Sequence, residues 1–191
     1  MNINNILSTA TGIDDVIQSV QTDLYDNFIN VWSGDISAYG RVYKNPANVG
    51  DEVPDYYRTS KIVVPEWFNK TKNDYEEIYY DDAFSCVICF LVGDRDMTSD
   101  GLVFTANAKC VFMMDLSKAF PNVTERQDAK AQREVINFMR DNASGRYEIN
   151  QIERGIDTIF YEYKTRSIRF TDMQPLHCFA VNLKLYYQLE C

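Results

Sequence analysis

The chain is poor in the residues and patterns that usually announce chemistry. It has one histidine, His177, and no P-loop, dinucleotide-binding glycine fingerprint or zinc-protease helix. Positive charge is also short: 19 Lys and Arg stand against 28 Asp and Glu, a formal net charge of -9. That balance argues against a protein that grips phosphates electrostatically, and it suits a surface that DNA passes without sticking. No stretch approaches the roughly 18 apolar residues of a membrane span. The first residues, Met-Asn-Ile-Asn-Asn, lack the basic region of a secretory signal. The expectation is a chain with no membrane partner. Its five cysteines, an odd number, read as reduced core residues. Internal repeats and low-complexity linkers are lacking too, so residues 1–191 read as a single domain.

The rest is ordinary globular composition, 46% hydrophobic and 14% aromatic, enough for a real core. The 13 tyrosines are many, and tyrosine suits surfaces that partners half bury. The organising stretch is Asp82 to Phe120. Ala83 to Val92 is apolar at both parities, with Phe84, Cys86, Ile88, Phe90 and Val92 on one face and Val87, Cys89 and Leu91 on the other. A strand of that kind is sandwiched between two layers. Gly93 to Gly101 is polar and turn-like. Leu102 to Leu116 then alternates, with Phe104, Ala106, Ala108, Cys110, Phe112 and Met114 on one face. Fully extended it would span roughly 50 Å, beyond the usual strand. Strands that long twist out of one sheet or reach towards a neighbouring subunit.

Around this pair the pattern predicts an α+β fold, mainly antiparallel, with long central strands, an N-terminal helix and a second helix near 124–142. Ile13, Val16, Ile17, Val20, Leu24 and Phe28 have helical spacing, and Thr11 with Asp14 resembles a capping box. Ile36 to Lys44 reads as a strand weakened by Gly40. Residues 45–58 hold Pro46, Gly50 and Pro54 and read as a loop, and Thr59 to Val64 as a short strand stopped by Pro65. Residues 65–82 have no clean period. They mix Trp67, Phe68, Tyr75, Tyr79 and Tyr80 with Asp74, Glu76, Glu77, Asp81 and Asp82. A segment that long without a core period reads as an interface arm, and those five aromatics are the candidate contact residues.

Thr124 with Gln127 resembles a second capping box, opening a charged helix with the stripe Ala131, Val135, Phe138 and Met139. Its basic residues, Arg126, Lys130, Arg133 and Arg140, alternate with acids and read as a solvated face. Tyr147 to Glu153 is an expected strand, Gly155 to Tyr163 a short helix, Ser167 to Phe170 a short strand, and His177 to Leu189 the closing strand.

Three features invite chemistry. Cys86-Val-Ile-Cys89 has the spacing of a redox or zinc pair, but mid-strand its thiols point to opposite faces. Asp94, Asp96 and Asp100 could collect a divalent cation. The calcium-loop pattern, however, needs Gly and Glu where Ser99 and Thr105 stand, so the reading is a solvated hairpin tip. His177 beside Cys178 invites a dyad, but neighbours on a strand diverge. The expectation is no catalytic residue, no metal and no cofactor.

The order of elements resembles tail-terminator and head–tail connector proteins of tailed bacteriophages. The texture is similar to neck or tail ring proteins of crAss-like phages. The likeness rests on Asp82 to Gly93, Lys109 to Pro121, the Arg126 to Arg140 helix, and Asp172-Met-Gln-Pro-Leu-His-Cys-Phe179 leading into the last strand. The resemblance implies a virion structural protein, made in the host cytoplasm, with no catalysis. Copies would form a homo-oligomeric ring between portal and tail, touch adjacent ring proteins, and pass double-stranded DNA without binding it specifically. Two other classes compete: a metal-dependent phosphodiesterase using Asp94, Asp96 and Asp100, and a monomeric phage-encoded protein that binds a host factor.

Overall fold

The computed structural model describes residues 10–46, 63–99, 103–122 and 126–188. The fold is α+β. Among these residues seven strands form one sheet: β1 (Ile36–Pro46), β2 (Val63–Asn69), β3 (Asp74–Glu77), β4 (Cys86–Ser99), β5 (Val103–Asp115), β6 (Tyr147–Arg154) and β7 (Leu176–Gln188). Their order across the sheet is β3-β2-β1-β4-β5-β7-β6. Neighbours are antiparallel except β1 and β4, which run parallel.

The parallel pair follows from the route of the chain. The β2–β3 hairpin adds outside β1, and residues 78–84 return beneath the sheet. β4 therefore starts level with β1, where Ser85 donates from both its N and its Oγ to the carbonyl of Asp35, at 2.7 and 3.0 Å.

The central strands are buried on both faces because two separate cores flank them. On one side lie α1 (Ile13–Val31) and, after the one-turn α2 (Leu116–Ala119), α3 (Gln127–Asp141). That core takes Cys86, Ile88 and Phe90 of β4, the even-numbered residues of β5, and Phe179, Val181, Leu183 and Leu185 of β7. Phe28 and Trp32 stack at 4.1 Å, and Phe28 meets Phe138 edge-on, joining the two helices. The second core takes Val87, Cys89, Leu91, Val111, Met113, Cys178 and Ala180. It is roofed by Ile78 and Tyr80 of the return segment, by α4 (Ile156–Ile159), and by Ile168 and Phe170.

β1 bulges between Ala38 and Arg41. Gln21 of α1 seals the bulge by donating to the Ala38 carbonyl at 2.8 Å. A Cβ on Gly40 would lie 3.2 Å from Gln21 Oε1, so the glycine that weakened the expected strand lets the helix side chain approach.

Several expectations change. Residues 93–99 are not a loop: β4 continues through them, with a register shift between Val92 and Asp96. Pro65 does not stop a strand. It lies inside β2, pairs with Lys44, and its carbonyl accepts from Ile78 N. The arm expected at 65–82 is a hairpin of the sheet followed by a return segment that buries Ile78 and Tyr80. α1 has Gly12 at its N-cap and no side-chain cap bond, so Thr11 and Asp14 form no capping box. β5 ends at Asp115, one residue short of the alternating run, where the Asp115 carboxylate accepts from the N–H groups of Ser117 and Lys118. Residues 165–168 form a 3-10 turn rather than a strand, and Arg169 follows in the left-handed region at φ 57°. Thr124 lies outside the described residues, as do residues 47–58 of the expected loop and 59–62 of the expected strand.

Candidate assembly surfaces

The five aromatics singled out in the sequence divide by strand parity. Trp67 and Tyr80 point into the second core, 8% and 5% exposed, where Trp67 packs on Tyr39 at 4.9 Å and Tyr80 on Phe170 at 5.0 Å. They hold the hairpin to the sheet and have little surface left for a partner. Phe68 and Tyr75 are cross-strand partners on the opposite face. With Tyr43 they form an edge-to-face row, Tyr43–Tyr75 at 5.2 Å and Phe68–Tyr75 at 5.3 Å. Tyr75 keeps 48% of its surface exposed and has acidic neighbours in Asp74 and Glu77, both exposed. Tyr79, 44% exposed, lies under the Arg169 guanidinium.

Asp94 and Asp96 belong to β4 and are exposed, and Asp100 lies outside the described residues. Asp94 is paired with Lys44 at 2.7 Å, and Lys44 also reaches Glu162 at 2.8 Å. Burial opposes the Lys44 charge, but those two carboxylates outweigh it and raise its pKa. Among the described residues no three His, Cys, Asp or Glu side chains gather closely enough to hold a metal ion.

Beside this pair lies an open groove of about 820 Å³, with Asn107, Lys109, Gln151, Tyr161 and Asn182 in its lining. Within it Lys109 donates to Glu153 at 2.6 Å and Asn182 to the same carboxylate at 2.7 Å. Burial alone would raise the Glu153 pKa; the bonds from Lys109 and Asn182 reverse the sign and lower it. A carboxylate held ionised and neutralised in this way is a poor general base, and among the described residues the groove lining has no Ser, Thr, Cys or His.

The described thiols, Cys86, Cys89, Cys110 and Cys178, are all buried, and Cys191 lies outside the described residues. Cys86 belongs to the first core and Cys89 to the second, each fully buried. Burial pushes the Cys89 pKa up to about 12 and that of Cys86 well above its ordinary value, so neither carries a reactive thiolate. Cys178 is buried as well, while His177 turns towards α3. Gln132 uses its Oε1 to accept from Arg154, at 3.1 and 2.5 Å. Its amide nitrogen therefore faces His177 Nε2 at 2.9 Å. The ring nitrogen there must accept, which puts the proton on Nδ1, towards Asp172 at 3.7 Å.

Sequence order concealed one surface. Arg126 at the helix start and Arg133, Asn137 and Arg140 within α3 are all exposed. A spacing of seven residues places Arg133 and Arg140 in one row opposite the buried stripe of Ala131, Val135 and Met139, and Arg126 stands just before the helix as its N-cap, with extended backbone. Lys130 leaves the row: it is drawn in over the Phe120 ring and paired with Glu134. The signal was the seven-residue repeat of arginine, hidden by intervening acids that point sideways.

No protein-family model, no curated protein and no solved structure matches this chain.

Proposed function

We propose that the protein is a structural subunit of a tailed-bacteriophage virion. It forms part of the neck or tail ring that joins portal to tail and lines the DNA conduit, in contact with the rings above and below. The observation that carries this reading is the β4–β5 ribbon. β1 last pairs with β4 at Val42–Leu91, but β4 runs on to Ser99. Residues 93–98 are all exposed, with Met97 52% exposed at their centre. Among the described residues no strand pairs with β4 beyond Leu91 on the side away from β5, and an exposed, extended strand edge is a template for another chain. Support also comes from the connector-like order of elements and from the acidic balance of the chain, which favours passage of DNA over capture.

Electron microscopy of the particle tests the proposal directly. The expected result is this chain in a closed ring on the DNA axis, with the β4–β5 ribbon against a neighbouring subunit. Its absence from the portal–tail junction would reject the assignment.

A further inference from the structure

We propose that the arginine row of α3 is one half of a contact between copies of this chain, and that the acidic, aromatic edge at β3 is the other half. This rests on the ring reading and names the lateral contact within it.

The two surfaces are complementary in charge and in side-chain chemistry. The row presents Arg133 and Arg140, with Asn137 between them and Arg126 at the N-cap. Arg126 remains 81% exposed at its side chain although Asp128 pairs with it. The row's cations are arginines, whose planar fork pairs with carboxylates and stacks on aromatic rings; the Arg126 fork is already closed on Asp128 through its Nε and one Nη, so the contact is assigned to Arg133 and Arg140. The β3 edge offers both kinds of partner: the exposed Tyr75 ring and exposed Glu77, which share one strand parity, and exposed Asp74 beside them in the chain. The same type of contact already exists inside the chain, where Arg41 lies 5.4 Å from the centre of the adjoining Tyr43 ring.

The placement suits a second copy better than a self-contained pair. β3 is the first strand in the sheet order, and α3 packs over β7, the sixth. Five strand spacings put the two surfaces roughly 24 Å apart. They therefore cannot meet within one molecule. Two different surfaces at opposite ends of a subunit make a head-to-tail contact, which closes into a ring when the rotation between copies permits. The same charges oppose other pairings. Like surfaces repel, and the exposed Glu148 of the edge strand β6 would be set against the acids of β3 in an edge-to-edge joining of the two strands.

The test is a charge swap read by sedimentation of the full chain at low salt. One variant carries Arg133→Glu and Arg140→Glu; the other carries Asp74→Lys and Glu77→Lys. These positions are exposed, so circular dichroism and thermal melts should match the wild type. The expected result is concentration-dependent association of the wild type, loss of at least tenfold in association for each variant alone, and recovery in an equimolar mixture. In that mixture every contact again joins opposite charges. Wild-type association that either variant retains would overturn this contact, yet rings seen in the particle would leave the ring reading intact. A wild type that stays monomeric at all concentrations would overturn it as well. So would a duplex DNA mobility shift abolished by the arginine changes, which would assign the row to phosphates.

Discussion

At the scale of the residue, the groups that look most chemical are the ones most firmly assigned to the interior. Cys86 and Cys89 sit back to back across β4, one in each core and each without solvent contact. Cys86→Ala or Cys89→Ala should each cost on the order of 1–3 kcal/mol of stability by leaving a small cavity. Denaturant titration measures that cost. Alkylation of the native protein should leave both thiols unmodified, and loss of assembly at wild-type stability would contradict the core assignment. His177 is a different case, because its hydrogen bonds select one protonation state. Burial lowers its pKa first, Asp172 and Asp128 pull it up, and Arg154 adds to the lowering; the net shift is downward. A base whose folded pKa lies below its unfolded value of about 6.5 stabilises the fold fully above that pH. The contribution is lost as pH falls below about 6.5 and through the folded value. Protonation would also set two donors against each other across the 2.9 Å contact with Gln132. Stability measured from pH 7.5 to 5 should therefore fall more steeply for the wild type than for His177→Gln, and parallel curves would refute the assignment.

At the scale of the element, the β2–β3 hairpin shows how parity separates a core residue from a surface one. Trp67 and Phe68 are neighbours in sequence, yet Trp67 is in the second core and Phe68 in the row with Tyr75. Trp67→Ala should cost about 3–5 kcal/mol and loosen the hairpin. Tyr75→Ala should cost about 1 kcal/mol, the value of its ring contacts, and chemical denaturation of the two variants checks the ranking. Limited proteolysis should spare residues 63–85 in the wild type and cut there in Trp67→Ala. The hairpin was illegible in the sequence because its strands, Val-Val-Pro-Glu-Trp-Phe-Asn and Asp-Tyr-Glu-Glu, run over only seven and four residues, too few to establish a period beside the irregular turn. The central strands were legible for the opposite reason: both parities of β4 are apolar, and β5 alternates over 13 residues. Residues 93–98 resemble a loop in the sequence because they are polar, whereas a strand with water on both faces needs no apolar parity. The arginine row was missed because net charge along a helix was read in place of its direction around the axis.

At the scale of the whole molecule, the excess of acids decides how the protein should meet DNA. Nine net negative charges repel a phosphate backbone, and long-range repulsion is strongest where salt screens least. The exposed cations on the outer side of α3 are Arg133 and Arg140, with Arg126 at its N-cap. Three cations release about three counterions at most, so any binding through them should fall with salt at a logarithmic slope of no more than about 2.7. A phosphate-gripping protein that makes six to ten contacts has a slope two to three times steeper. Purified protein titrated with duplex DNA at low salt should thus bind weakly, and the weak binding should vanish by physiological ionic strength. If the arginines are occupied by a neighbouring copy, assembled protein should bind less DNA per chain than monomer. Tight binding by the monomer with a steep salt slope would be incompatible with a conduit wall. It would require a basic surface that the ring reading does not contain, and the proposed function would have to be abandoned along with it.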